Sequence, residues 1–182
     1  MGLRHMTTLS SHWLPGAAVV PQERGSEFLG PVDGADWSDG LGFFRGFFAT
    51  FRIKAGKSVW FHWPFQTPVA LEGRRLALHS MNLLWETLDG ARIDWVTAQH
   101  GGMDRIELTQ RLATLPATDV PFEPEPEFRP WCPVTHRQLS EFVLAAPLPL
   151  RFGVQLCVQL SAPEADGTVR FYGAGATFVA PD

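Results

Sequence analysis

The chain predicts an all-β fold: a single-domain, antiparallel β-sandwich, jelly-roll-like, with a closed β-barrel as the alternative. Three observations carry this. About eight or nine segments alternate apolar and polar residues or run apolar on both faces, with turn residues between them at short intervals. No stretch sustains a helical apolar period over several turns. The aromatic residues are Phe and Trp, 14 and 7 against one Tyr, and such residues favour strands. With 182 residues, 45% hydrophobic and 19% charged, the chain is long enough to bury a core without disulfides or metals.

Met1 to Met6 reads as a cloning junction, which leaves residues 7–182 as the domain. Residues 7–42, rich in Gly, Pro, Ser and Asp, give an early edge strand at Trp13 to Val20. A long loop follows through Gly25, Gly30, Gly34 and Gly40. Phe43 to Ile53 reads as one strand, with Gly46 at a bulge or a close backbone approach. Ala55-Gly56-Lys57 then turns into the densest feature of the chain, Lys57 to Pro68. Two Trp, two Phe and one His stand there within six consecutive residues. As a strand it carries Val59, Phe61 and Trp63 on one face and Trp60 and His62 on the other. Such a strand needs cover on both sides, or else it lines a cavity or a partner surface.

Arg75 to Thr87 is read as a strand. Leu88-Asp89-Gly90 is a hairpin signal, and Ala91 to Thr97 alternates cleanly behind it. Gly101-Gly102 turns into Arg105 to Leu112, with Ile106, Leu108 and Leu112 inward. Residues 116–133 hold six prolines, with Glu123, Glu125 and Glu127 among them, and read as an extended connector. A short strand near Phe142 follows. Arg151 to Leu160 sets Phe152, Val154, Leu156, Val158 and Leu160 on one face, and Gly153, Gln155, Cys157 and Gln159 on the other. After a turn at Asp166-Gly167, Val169 to Val179 closes the chain, with small residues Gly173 to Ala176 for close packing.

Charge and motifs exclude several classes. The net charge is −4 with no basic cluster, so neither nucleic acid nor an anionic membrane is an expected partner. No stretch approaches the about 18 apolar residues of a membrane span, and no signal-like segment opens the chain, so a cytoplasmic location is expected. Cys132 and Cys157 lack a CxxC companion and are expected as reduced thiols. His136 stands four residues after Cys132, but Pro133 intervenes and argues against a catalytic pair. No G-x-S-x-G nucleophile motif, phosphate loop or cofactor pattern is present, and no cofactor is expected.

Candidate side chains remain. If Asp89-Gly90 is a two-residue hairpin turn, His79 stands opposite His100, a weak candidate for a shared metal and otherwise two ordinary histidines. His62, among aromatic residues, is either a core histidine or a general base oriented by Glu86, Asp94 or Glu107. Trp60, Trp63, Trp85 and Trp95 are either core or a stacking platform for a flat ligand. The Pro/Glu arm from Pro121 to Trp131 is pre-extended, suited to lie along a neighbour or along its own sandwich.

The stretch Trp60 to Val69 is similar to the WFHxPxPTPV stretch of a family of small bacterial all-β proteins of unknown function. Gly153 to Leu156 and Phe171 to Ala176 resemble that family's closing hairpin. The resemblance spans residues 43–180 and departs from the family at Trp63 and Gln66. It implies a β-sandwich and no particular reaction. The residues together read as a non-catalytic binding or self-assembly module, a homo-oligomer or a binder of a hydrophobic or flat small molecule. The alternative is a cofactor-free isomerase or cyclase with a hydrophobic substrate in a pocket lined by Trp60 and His62.

Overall fold

A computed structural model describes residues 7–32, 43–44, 48–114, 118–123, 125–128 and 135–180. Ten strands of four residues or more build it: β1 (Thr7–Pro15), β2 (Ala49–Ile53), β3 (Lys57–Pro64), β4 (Ala77–Asp89), β5 (Arg92–His100), β6 (Asp104–Glu107), β7 (Thr118–Phe122), β8 (Thr135–Pro149), β9 (Val154–Ala162) and β10 (Gly167–Ala180). One short helix, α1 (Thr109–Thr114), follows β6. The strands form an eight-stranded sheet, in the order β7-β8-β4-β10-β2 with Leu29–Gly30 at its end, and a five-stranded sheet in the order β6-β5-β9-β3 with Val20–Pro21 at its end. β1 pairs with the second half of β10, beyond the part that β2 occupies. Every pairing is antiparallel, and neither sheet closes into a barrel. The sandwich expected from the sequence is the fold.

The core lies between the two sheets. From the five-stranded sheet come Val59, Phe61 and Trp63 of β3, all fully buried, and Leu156, Val158 and Leu160 of β9. They meet Phe51 of β2 and Phe171 of β10. Phe61 packs 4.8 Å from Phe51 and 5.0 Å from Phe171, and Trp63 meets Phe171 edge-on at 4.8 Å. Each such ring is worth roughly 1.5–3 kcal/mol of burial, so this knot fixes which face of β3 points inward. In β10 a register shift between Phe171 and Gly173 lets Phe171 and Ala174 both face the core. Gly173 and Gly175 lie under Trp13 of β1, where a Cβ would come within 2.4–2.6 Å of the indole. The close packing expected of these small residues is therefore the seat of a tryptophan.

Four sequence expectations are corrected. Phe43 to Ile53 is not one strand: Phe43 pairs with Thr50 and Phe44 with Ala49, so the chain doubles back, and Gly46 lies outside the described residues. Within the proline-rich connector, Thr118–Phe122 pairs with β8. Pro121 is accommodated because this strand is the sheet's edge, where a missing N–H costs no ladder bond. The strand near Phe142 is 15 residues long rather than short.

The largest correction concerns Asp89-Gly90. Gly90, at φ +58°, turns the chain, but β4 and β5 do not pair. Both edges of β4 are already taken, by β8 and β10, so β5 crosses to the other sheet. The ladder that would have faced His79 with His100 does not exist.

Candidate functional site

The outer face of the five-stranded sheet carries the most distinctive arrangement of side chains. Alternation on β3, β9 and β5 builds it in rows, because residues directly opposite across antiparallel strands share a face. Gln159 stands opposite both Trp60 and Trp95, Cys157 opposite both His62 and Thr97, and Gln155 opposite Gln99. The Trp60 and Trp95 rings lean together over the Gln159 row, with centroids 6.1 Å apart and planes inclined by 40°. Trp60 is half-buried, and Trp95 keeps 40% of its surface exposed.

Each tryptophan has fixed neighbours. The Trp60 backbone N–H donates to Glu23 Oε2 at 2.9 Å, and the ring stacks on His62 with centroids 6.5 Å apart. The Trp95 indole N–H donates to Glu107, and the Arg105 guanidinium lies 5.7 Å from the Trp95 ring. Burial works against the Glu107 carboxylate. The Thr109 hydroxyl and backbone N–H, the Trp95 indole and the Arg105 charge together outweigh it and hold the Glu107 pKa below its ordinary value. Glu107 is thus an ionised acceptor that anchors Trp95.

In the next row His62 Nδ1 lies 3.1 Å from Cys157 Sγ, and His62 Nε2 lies 3.1 Å from Gln22 Oε1. Gln22 donates its amide nitrogen to Glu23 at 3.0 Å, which turns its oxygen towards the imidazole. An amide oxygen only accepts, so Nε2 carries the proton and Nδ1 accepts from the thiol. Burial lowers the His62 pKa, against a smaller opposing pull from Glu23. Burial also pushes the Cys157 thiol from 9.0 up to about 11, against weaker pulls from the Thr97 hydroxyl and Arg105. The pair is therefore a neutral thiol and a neutral imidazole at pH 7. Cys157 is fully buried and free of any disulfide, enclosed by the side chains of its own face. A nucleophilic cysteine needs an accessible thiolate, and this arrangement stabilises the opposite state.

The other sequence candidates lie elsewhere. Trp63 is wholly in the core, and Trp85 packs against the core from β4 with its indole donating to Ser140 Oγ at 3.0 Å. Glu86 is buried on the outer side of the eight-stranded sheet. There it accepts from Arg170 Nη1 at 2.9 Å and from the Tyr172 hydroxyl at 2.7 Å. Asp94 is exposed and paired with Arg92 at 2.9 Å. Neither carboxylate reaches His62, whose hydrogen-bond partners are Cys157 and Gln22. His79 and His100 stand in different sheets; His100 instead accepts the backbone N–H groups of Arg151 and Phe152 at Nε2, at 3.0 and 3.1 Å. His136 pairs with Asp119 at 2.9 Å, and Cys132 lies outside the described residues. No group of three or more His, Cys, Asp or Glu among the described residues is placed to hold a metal ion. Among them, too, no helix is long and apolar enough to cross a membrane.

Sequence reasoning named Trp60, Trp95 and His62 as candidates and set Gln155, Cys157 and Gln159 on one strand face, but did not join the two sets. The signal was present: Trp60-x-His62, Gln155-x-Cys157-x-Gln159 and Trp95-x-Thr97-x-Gln99 are period-2 polar and aromatic patterns facing away from apolar alternates. Only the pairing of β3, β9 and β5 brings the three patterns side by side. No family model matches this chain, and no curated protein or solved structure matches it.

Proposed function

We propose that the protein is a non-catalytic binding module for neutral carbohydrate, and that the outer face of the five-stranded sheet is its binding surface. The observation that carries this reading is the Trp60–Trp95 pair, two indoles leaning together on an outer sheet face with Gln159 between them. A sugar ring has apolar C–H faces and a hydroxyl rim. It matches a surface that sets aromatic rings beside carboxamides, the first for stacking and the second for hydroxyl hydrogen bonds.

Charge favours the same ligand. Arg105 and Glu107 flank Trp95 with opposite signs, His62 is neutral, and the Glu23 carboxylate beside Trp60 is engaged by the Trp60 N–H and the Gln22 amide, so no cluster of one sign marks the face for an ionic ligand. The fixed geometry of the rings also limits the ordering cost of binding. Support for binding over isomerase or cyclase chemistry comes from His62, whose ring is engaged by a thiol and an amide rather than by a carboxylate. The competing occupant of the face is a second copy of the chain.

Titration with soluble neutral oligosaccharides, followed by tryptophan fluorescence and by the indole N–H resonances, tests the proposal. The Trp60 and Trp95 signals should shift and the Trp85 signal should not. Trp95→Ala and Trp60→Ala should each weaken binding by about tenfold or more, equivalent to about 1.4 kcal/mol. If no neutral sugar moves the Trp95 resonance while that resonance shifts with protein concentration, self-association is the function of this face and the carbohydrate reading fails.

A further inference from the structure

Resting on that reading, we infer that the ligand is a linear oligosaccharide, bound along β9 from the Trp60–Trp95 pair to a second subsite at the far end of the same face. That end is a shallow depression of about 330 Å³ that shares Gln99 and Gln155 with the polar rows and is floored by Gly101, Gly102 and Gly153. The Gln155 and Trp60–Trp95 rows are four residues apart along β9, so their centres are separated by about 13 Å. One sugar ring does not span that distance, and a short chain does.

The depression has the groups a sugar needs. Gln155 Nε2 donates to Gln99 Oε1 at 2.9 Å, and the same two carboxamides also carry an acceptor, Gln155 Oε1, and a donor, Gln99 Nε2. A vicinal pair of hydroxyls offers the complement. Next to Gly153, Phe152 is 61% exposed, and its ring lies against Gly101, where a Cβ would come within 2.8 Å of it. A third exposed aromatic ring thus adjoins the glycines of the depression. The wall that carries it is fixed from below, because buried His100 accepts the N–H groups of Arg151 and Phe152. Glycine in the floor keeps the space open: a Cβ at Gly102 or Gly153 would meet nothing within 4 Å.

Gly153 gives a clean test, since its backbone is not in the left-handed region and a side chain there projects into open space. The probes are β-1,4-linked gluco- and xylo-oligosaccharides of one to six units, whose extended ribbons suit a flat sheet, measured by calorimetry and indole shifts. Affinity should rise by roughly tenfold or more between the shortest chain that binds and chains long enough to reach Gln155. Gly153→Leu should abolish that gain and leave the shortest chain's affinity unchanged, and Gln155→Ala should abolish it too. Trp95→Ala should weaken every length. Binding that depends on Trp95 but does not strengthen with length, or a length gain that survives both Gly153→Leu and Gln155→Ala, overturns the second subsite and leaves the first standing. No binding at any length overturns both.

Discussion

Cys157 offers the sharpest test of how this sheet face is held. Its thiol is fully buried, donates to His62 Nδ1 and has its pKa pushed from 9.0 to about 11. Between those values the unfolded chain releases a proton that the folded chain keeps. Stability from this group is therefore fully present below pH 9 and lost as pH rises towards 11. Two units at about 1.4 kcal/mol each make the loss about 3 kcal/mol. The measurement is a difference, so alkaline effects common to both proteins cancel. Urea unfolding of the wild type and of Cys157→Ala, under reducing conditions, is followed from pH 8 to 11. By pH 11, where the folded thiol is half ionised, the wild type should have lost about 2 kcal/mol of its stability relative to the variant. A gap that stays constant from pH 8 to 11 would refute the buried, protonated thiol. On the acid side His62 has the opposite dependence. Its pKa is lowered, so the unfolded chain takes up a proton below the ordinary value of 6.5 that folded His62 refuses, and stability falls as pH drops through that window. His62→Gln should flatten this acid limb.

Two further predictions concern buried polar groups. Glu86→Leu or Arg170→Met alone should cost about 3–5 kcal/mol, because each strands a buried charge, whereas the double variant should recover much of the loss; purely additive singles in denaturant unfolding would rule out the coupling. His100→Ala removes the acceptor of two backbone N–H groups, at about 1–3 kcal/mol for each, and should speed hydrogen exchange at Arg151 and Phe152; unchanged exchange there would mean the histidine does not hold the wall.

How much of this was legible in the sequence follows from the range over which each feature is determined. Alternation is local, so the division of β3 into Val59, Phe61 and Trp63 against Trp60 and His62 was readable, as was the inward set on β9 from Val154 to Leu160. Phe152 is the exception. It falls before the strand begins, and its ring is 61% exposed against Gly101. Sheet membership is not local. Asp89-Gly90 has hairpin chemistry, and what prevents the hairpin is the occupation of both edges of β4 by strands that come 46 residues or more after it. Pro121 misled for a related reason. Proline density argues against a strand, yet an edge position removes the objection, and which strand is the edge depends on the whole sheet.

The aromatic run shows why its two faces have different uses. Val59, Phe61 and Trp63 are held by Phe51 and Phe171, and nothing there remains for a ligand. On the other face, among the described residues, side chains from β5, β9 and the segment beside Val20–Pro21 surround Trp60 and His62, and they fill the space around His62 but leave Trp95 40% exposed. Cys157 is the join between these two conditions. It lies 95 residues from His62, so no spacing in the sequence could connect them, and the only histidine at a suggestive spacing from a cysteine, His136, is committed to Asp119 instead. A thiol that is small, apolar when protonated and able to donate to His62 seals the middle row. In the folded chain the thiol ionises only near pH 11, which would put a charge one row from the two indoles, so a loss of ligand affinity should set in about two pH units above the onset of the stability loss, whereas in Cys157→Ala affinity should not follow pH through that range.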